Sequence, residues 1–216
     1  MPTRNADTVI VLDFETSGLS PDHGDRAIEI GAVMIERGVV TDRFHSLMNP
    51  GMRINTFIEG YTGITNAMLQ DAPPAAKVMA DFSDFVAGHN LVAHNASFDQ
   101  RFLKAEVRRI HKQCNNAFSC SMLAARRVYQ LAPNHTLGGL VEFKKIVHDG
   151  IFHRALADAE MTAKLWLAML EDITRHHGTT HLSFGTMQKL TTIPKRSVSH
   201  FFKQLGAGQR NGADCI

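Results

Sequence analysis

The stretch TVIVLDFETSGL, Thr8–Leu19, decides the fold. Its apolar run, Val9–Leu12, is short and rich in β-branched residues, and Thr16-Ser17-Gly18 follows it closely, which predicts a buried central strand. Asp13 and Glu15 stand two residues apart at the end of this strand, so their side chains share one face. Two carboxylates on one face repel each other unless a cation or a proton lies between them. The stretch therefore predicts a metal site at the strand end.

A second motif, HNASFD, covers His94–Asp99 and follows a brief apolar strand. Ser97 and Gln100, three residues apart, fit a capping box, which predicts a helix that begins at Phe98. Asp99 would then lie in the first helical turn, just beyond the end of a central strand. Taken alone, Asp99 is better explained as an acid that stabilises the helix dipole.

A third motif, HRALADA, opens an Ala-, Leu- and Met-rich segment that predicts a helix to about Asp172. His153 and Asp158 are five residues apart, which on a regular helix is about 500°, or about 140° away from a shared face. The two side chains can therefore share a site only if His153 lies in the loop before the helix and Asp158 in its first turns. A lone histidine is more often a structural residue than a catalytic one, and this alternative stays open.

Other segments complete the outline of the chain. Strands are predicted over 27–35 and 39–47, with Glu36-Arg37-Gly38 as the hairpin turn between them. Apolar spacings of three and four residues predict an amphipathic helix over 75–87. Two further helices are predicted over 122–131 and 137–145.

Together, the order and content of these motifs resemble the DEDDh 3′–5′ exonucleases, the group that includes the proofreading epsilon subunit of bacterial replicative DNA polymerase, ribonuclease T and oligoribonuclease. The resemblance covers about 9–170, and its five positions are Asp13, Glu15, Asp99, His153 and Asp158. It also includes the stretches DFETSGL, IEIGAV, GITN, HNASFD and HRALADA. It implies an α/β, ribonuclease H-like fold with a central mixed sheet and helices on both faces.

The same resemblance implies hydrolysis of phosphodiesters with two Mg²⁺ or Mn²⁺ ions per active site. Asp13 is the expected ligand that bridges the two ions. Glu15 and Asp158 are expected to complete the coordination of one ion, and Asp99 to support the second. His153 is the expected general base, because an unperturbed imidazole pKa of about 6.5 suits proton abstraction near neutral pH.

Substrate contacts are expected at five further positions. The resemblance implies that Thr16, Gly18 and Leu19 hold the terminal nucleotide, that Phe98 packs against a base and that Asn95 contacts the substrate. The alternative is that Gly18 is an ordinary turn glycine and that Leu19 and Phe98 belong to the core.

Three functions are consistent with these residues. The first is a metal-dependent 3′–5′ exonuclease that acts on DNA in proofreading or repair, with 3′-terminal or single-stranded DNA and a DNA polymerase or another replication or repair protein as partners. The second is an RNA-trimming enzyme of the same fold, since no visible feature tests for the 2′-hydroxyl. The third is a non-catalytic nucleic-acid-binding scaffold, which the retention of all five active-site positions argues against.

The composition bears on the cellular compartment in which we expect the protein. The three cysteines, Cys114, Cys120 and Cys215, form no CxxC pair, which indicates a reducing compartment and argues against a zinc site. No apolar run approaches the roughly 18–20 residues that span a bilayer, and the N-terminus carries no apolar signal segment. We therefore expect a cytoplasmic protein that does not contact membranes.

The charge is distributed unevenly along the chain. Residues 1–172 hold 17 Lys and Arg against 20 Asp and Glu, whereas residues 173–216 hold six basic residues against Asp214 alone. We expect an exonuclease domain over 1–172 and a basic helical extension over 173–216. Within the extension, Ser183–Leu190 and Lys195–Leu205 are predicted helices that loosely resemble a helix-turn-helix and pack on the body or a partner, and 206–216 is predicted to be disordered. Such a basic extension fits either a nucleic-acid contact or a merely solvated surface.

Overall fold

A computed structural model describes residues 5–148, 153–179 and 181–213, with side chains up to Gly206. The described residues form one five-stranded mixed sheet in the order β3-β2-β1-β4-β5. The strands are β1 (Val9–Thr16), β2 (Ala27–Glu36), β3 (Val39–Leu47), β4 (Leu91–Ala93) and β5 (Phe118–Cys120). β1, β2 and β3 pair antiparallel, whereas β4 and β5 run parallel to β1. The predicted central strand is therefore confirmed, and it forms the middle of the sheet.

Helices cover both faces of this sheet. They are α1 (Thr56–Thr62), α2 (Asn66–Asp71), α3 (Ala75–Phe85), α4 (Ser97–Arg109), α5 (Ser121–Val128), α6 (Leu137–Phe143), α7 (Ala155–His177), α8 (Phe184–Thr192) and α9 (Val198–Ala213). The ribonuclease H-like α/β arrangement expected from the sequence is confirmed.

The alternation of side chains along β1 decides which helix meets which face. Val9 and Val11 lie in the core cluster that contains Trp166 of α7, whereas Ile10 and Leu12 lie in the cluster formed with α3 and α4. All four β1 side chains are fully buried. Because Asp13 continues the series of Val9 and Val11, its side chain points to the α7 side of the sheet.

The predicted hairpin between β2 and β3 is confirmed. Arg37 and Gly38 both adopt positive φ angles, 51° and 79°, as a two-residue primed turn requires. Glycine at the second position satisfies this requirement without strain, and Arg37 meets it with its side chain in solvent.

Several predicted boundaries differ from the structure. β5 was not predicted, because three residues are too few for a period of two to appear. α5 begins at Ser121 and ends at Val128, three residues before the predicted end at Leu131. α7 continues five residues beyond the predicted end at Asp172, to His177, and ends at Gly178 in the left-handed conformation.

The predicted capping box at Ser97 is wrong. α4 begins at Ser97 itself, with Ala96 as N-cap and without a side-chain cap. Asn95, at φ 66°, forms the turn that precedes the helix, and its carbonyl accepts the Phe98 N–H.

The C-terminal helices pack on the body of the protein. α8 lies against β5 and α5, and α9 lies against α7. Phe184 and Met187 of α8 and Phe202 of α9 are buried in the same core cluster as Trp166. The domain boundary predicted at Asp172 and the resemblance to a helix-turn-helix stay predictions.

The disorder predicted beyond Leu205 is not observed over 206–213, where α9 continues to Ala213, and 214–216 lie outside the described residues. Gly206 does not adopt the left-handed conformation of a C-terminal cap. Instead α9 continues through Gly206, where an added Cβ would lie 3.4 Å from the His177 carbonyl oxygen, an ordinary van der Waals distance. The helix end predicted at Gly206 is therefore wrong, and the packing of α9 on α7 does not require glycine at this position.

Within 5–148, 153–179 and 181–213, no helix has the length and apolar character needed to cross a membrane.

Candidate active site

The fold brings four predicted acidic residues together at one end of the sheet. Asp13 and Glu15 come from β1, Asp99 from the first turn of α4 and Asp158 from the first turn of α7. Asp99 is tied to β1 directly, because its Oδ1 accepts the Phe14 N–H at 3.2 Å. Glu15, Asp99 and Asp158 are buried, and Asp13 is partly buried between them.

The pKa values of all four carboxyls are raised. Burial, followed by the charges of Asp99 and Asp158, raises the pKa of Asp13 well above its ordinary range. Burial and then the charge of Asp158 raise the pKa of Glu15 to about 8. Burial raises the pKa of Asp99 to about 7 and that of Asp158 to about 6. The four carboxyls therefore resist simultaneous ionisation unless a cation is bound, as the opening stretch of the sequence indicated.

His153 lies in the loop before α7, as the spacing to Asp158 predicted. Its backbone adopts φ 62°, and its N–H donates to Asp158 Oδ2 at 3.1 Å. The imidazole is exposed and lies 4.2 Å from the ring of Tyr61, measured between centroids. This placement leaves the imidazole accessible from solvent beside the acidic cluster.

Glu29 of β2 is a residue of the site region to which the sequence analysis gave no role. It lies opposite Glu15 in the β1–β2 ladder and is fully buried. Its carboxylate accepts from Arg154 at 2.7 Å and from the Ala155 N–H at 3.0 Å, and it pairs with His45 at 2.7 Å. Glu29 therefore caps the N-terminus of α7, where Arg154 offers no side-chain cap.

The pKa of Glu29 is lowered, whereas the pKa values of Glu15 and Asp158 are raised. Burial raises it, but hydrogen bonds from Arg154, His45 and Ala155 outweigh burial and hold the pKa below its ordinary value. Glu29 is thus an ionised anchor rather than a free carboxylate. The signal that identifies it in the sequence is a charged residue inside IEIGAV, an otherwise apolar strand.

Gly31 permits the close contact between α7 and the sheet. It pairs with Asp13 in the ladder, and a Cβ at this position would lie 2.1 Å from the Leu156 backbone nitrogen. The first turn of α7 therefore rests on the β2 backbone. This contact places Asp158 at the level of Asp13 and Glu15.

The turn after β1 is held by internal contacts. Thr16 Oγ1 donates to the Gly18 carbonyl at 2.6 Å, and Asp25 accepts the Ser20 N–H at 2.9 Å. A Cβ at Gly18 would lie 2.3 Å from the Asp25 carboxylate, so a larger residue would have to displace the Asp25 side chain that accepts the Ser20 N–H. Leu19 is 79% exposed, which excludes the alternative that it belongs to the core.

The other two residues predicted to contact the substrate, Asn95 and Phe98, lie at the start of α4 and differ in exposure. Asn95 is exposed, whereas Phe98 is partly buried, with its ring 4.9 Å from that of Phe102. Across the site, α1 presents two exposed aromatic rings that the sequence analysis did not identify. Phe57 and Tyr61 stack at 6.0 Å and are 73% and 53% exposed.

The donor set suits a hard divalent cation. Glu15, His153 and Asp158 each offer one ligand atom, and these atoms lie within 4.8 Å of one another. Carboxylate oxygens are the ligands that Mg²⁺ and Mn²⁺ prefer, and a cation relieves the repulsion that raises the four pKa values. The guanidinium of Arg154 is hydrogen-bonded to Glu29, and its charge offsets only a small part of the rise in the pKa of Glu15.

Sequence comparisons agree with this geometry. The profile of the family described as Exonuclease matches residues 10–166. DNA polymerase III subunit epsilon of Aquifex aeolicus is 31% identical over 172 residues, which cover 79% of this chain and 84% of that protein. A PolC-type DNA polymerase III of Caldanaerobacter subterraneus is 39% identical over 166 residues, or 76% of this chain and 12% of that protein. The 3′-5′ exonuclease DinG of Bacillus subtilis is 35% identical over 199 residues, or 90% of this chain and 20% of that protein. The chain thus spans a fifth or less of the length of the PolC-type and DinG relatives.

Solved structures have the same fold. Exonuclease X in complex with 5′ overhanging duplex DNA aligns with a TM-score of 0.63 at 27% identity, covering 85% of this chain and 99% of that one. The nuclease domain of 3′hExo, a DEDDh family member bound to rAMP, aligns with a TM-score of 0.66 at 20% identity, covering 77% and 92%. The profile match and the epsilon relative show that the chain belongs to the exonuclease family.

Proposed function

We propose that this protein is a metal-dependent 3′–5′ exonuclease that releases mononucleotides from the 3′ end of DNA. The observation that carries the proposal is the convergence of Asp13, Glu15, Asp99 and Asp158, from three distant segments, beside an exposed histidine. Holding four carboxyls with raised pKa values close together destabilises the folded protein. Binding of divalent metal and phosphate is a function that accounts for this arrangement.

In this proposal Asp13, Glu15 and Asp158 hold metal directly, and Asp99 supports it from α4. Divalent metal bound there would lower the pKa of the attacking water and stabilise negative charge on the phosphate. His153 accepts a proton from that water molecule while the water oxygen attacks the phosphorus. The 3′ oxygen of the preceding nucleotide leaves and takes a proton from solvent, and a nucleoside 5′-monophosphate is released.

The roles of the surrounding residues follow from where they lie. We assign Thr16, Gly18 and Leu19 to the terminal nucleotide, because Leu19 is exposed on a turn that internal hydrogen bonds hold. Asn95 and Phe98 would contact the same nucleotide from α4. The exposed rings of α1 are suited to stacking on bases, which needs no particular base identity.

DNA is the favoured substrate because the relatives above 30% identity carry the names of DNA polymerase III and of the exonuclease DinG. The same names support action beside a DNA polymerase, in proofreading or repair in the cytoplasm. The likeness to 3′hExo is below 25% identity and carries no weight for RNA.

The function is tested by incubating the protein with labelled single-stranded DNA, 3′-mismatched duplex and RNA of matched sequence. With Mg²⁺ or Mn²⁺ we expect stepwise release of mononucleotides from the 3′ end, faster on DNA than on RNA, and none with EDTA. The label is placed at the 5′ end so that a ladder of shortening products distinguishes 3′–5′ from 5′–3′ cleavage. Faster cleavage of RNA would reassign the substrate, and cleavage in EDTA would contradict the metal requirement.

His153→Ala is expected to lower kcat by about 10²–10⁴-fold, the usual contribution of a general base. The KM for metal should change much less, because Asp13, Glu15 and Asp158 remain. Steady-state kinetics over a metal titration separates the two effects. His200→Ala is the matched control, because it removes an exposed imidazole from α9, outside the candidate active site. It should leave kcat unchanged. An equal loss of kcat in both variants, or no loss in His153→Ala, would contradict the role of His153 as general base.

A further inference from the structure

The solvent face of α4 carries three exposed cations at regular spacing. Arg101, Lys104 and Arg108 stand at i, i+3 and i+7 and therefore lie on one side of the helix. With a rise of 1.5 Å per residue they span about 10.5 Å along the axis. The two acids of the helix, Asp99 and Glu106, are buried at 2% and 1% exposure. We name the three cations the α4 stripe.

The charge of the α4 stripe is not compensated. Glu106, the acid nearest to it in sequence, is engaged by Arg26 through two hydrogen bonds of 2.8 and 2.9 Å. In the described part of the chain, no carboxylate forms an ion pair with a residue of the stripe, whereas nearby Lys112 pairs with Asp84 at 3.1 Å. The stripe is thus a strip of positive charge facing water.

A surface cavity of about 430 Å³ continues the stripe at the end of α4. Its lining includes Lys104, Arg108, His111 and Lys112, together with uncharged side chains, and contains no carboxylate. A cavity bordered only by basic and neutral groups is suited to an anion.

The stripe lies on the same helix as one of the candidate active-site acids. Arg101 follows Asp99 by two residues, or about 200° around the helix, so α4 turns Asp99 toward the sheet and the stripe toward solvent. A strand with its 3′ end at Asp99 and Asp13 therefore has to pass around the first turn of α4 to reach the stripe. The exposed residues before and at that turn, Asn95 and Ser97, are uncharged.

We propose that the α4 stripe binds the phosphates of the nucleic-acid strand upstream of the nucleotide being removed. Each cation of the stripe can contact one phosphate, so we expect about three phosphate contacts with a single strand. Cations contact phosphates without reading bases, and the contact is therefore independent of sequence. This inference rests on the proposed function, and it adds the surface that holds the body of the strand.

The test uses the variant Arg101→Gln/Lys104→Gln/Arg108→Gln and two substrates, a twelve-nucleotide oligo-dT and the dinucleotide dTdT. On the long substrate kcat/KM is expected to fall at least about fivefold at low salt, and the slope of log(kcat/KM) against log[salt] to become shallower by about 2, since each phosphate contact contributes about 0.7. On the dinucleotide kcat/KM should stay within twofold of the unaltered protein, because a single phosphodiester does not reach the stripe.

A charge-matched control variant, Arg37→Gln/Lys77→Gln/Lys164→Gln, removes three exposed cations from other surfaces. It should leave both the rate and the salt slope on the long substrate unchanged. Equal losses in the two triple variants, or a loss on dTdT as well, would overturn the inference, as would an unchanged salt slope. If neither substrate is cleaved by the unaltered protein, the proposed function itself fails, and the two failures are thereby distinguished.

Discussion

Replacing Asp13 with asparagine is expected to abolish nucleotide release and, in the same protein, to raise the thermal stability of the metal-free state. Activity should fall at least about 10³-fold, because metal-dependent charge stabilisation supplies several kcal/mol and each 1.36 kcal/mol is about tenfold in rate. Stability should rise because Asp13 is repelled by Asp99, Asp158 and Glu15. Opposite changes in activity and stability distinguish a catalytic acid from a structural one.

The gain in stability should depend on pH. The folded-state pKa values of Glu15 (about 8), Asp99 (about 7) and Asp158 (about 6) lie above the unfolded values near 4. Between pH 4 and pH 8 the unfolded chain therefore holds fewer protons than the folded one, and the stability of the metal-free protein falls as pH rises. Mg²⁺ or Mn²⁺ should reverse this fall in the unaltered protein and have little effect on Asp13→Asn.

Thermal unfolding followed by circular dichroism at pH 5, 6, 7 and 8 measures this effect. A difference of 1 kcal/mol corresponds to about 2–4 °C for a chain of this length. The control is Asp172→Asn, which removes a buried acid that Lys144 pairs at 2.7 Å and Tyr129 bonds at 2.6 Å. It should lower stability and leave the rate of nucleotide release per folded molecule unchanged. Destabilisation by Asp13→Asn at pH 8 would contradict the repulsion that we describe.

Removing residues 173–216 is expected to unfold the protein rather than to release an active domain. The deletion ends α7 five residues early and removes the side chains that cover the core around Trp166. The buried apolar residues lost with α8, α9 and the segment before them include Leu182, Phe184, Met187, Leu190, Val198 and Phe202. At about 1.5–3 kcal/mol for each large side chain, their loss approaches the whole stability of a typical domain, about 5–15 kcal/mol.

A chain that ends at Gly206 is the control for this truncation, because it removes none of the core residues described. Far-ultraviolet circular dichroism and size-exclusion chromatography of both truncated proteins separate a global loss of structure from a local one. A cooperative thermal transition in the 1–172 fragment, with activity retained, would instead support a domain boundary at Asp172. The shared core makes that result unexpected.

Sequence reasoning located the catalytic candidates because their order along the chain reflects where strands and helices end. Asp13 and Glu15 follow a strand with clear apolar character, and His153 can join Asp158 only from a loop, which is where the structure places it. Local periodicity and the geometry of single elements predicted where these residues lie, whereas their joint assignment to one site came from the resemblance to the DEDDh exonucleases.

The features that sequence reasoning missed depend on contacts between distant segments. The anchoring of α7 by Glu29 involves a bond to Ala155 across 126 positions, which no local pattern encodes. Gly206 suggests a helix end because glycine is frequent there, but α9 continues through it to Ala213 and packs on α7. The three-residue strand β5 is stabilised by pairing with β4, not by its own propensity.

The close contact of α7 with Gly31 has a consequence for the order in which the protein is made. Asp13 and Glu15 are synthesised with the first hairpin, but the last carboxylate arrives only with Asp158, 145 positions after Asp13. At about 5–20 residues per second, a growing chain spends about 7–30 s with an incomplete set of acids. Because the first turn of α7 must dock on Gly31 to complete the set, a nascent chain that ends before Asp158 holds no complete acidic cluster. We therefore expect no hydrolysis of nucleic acid by such a chain.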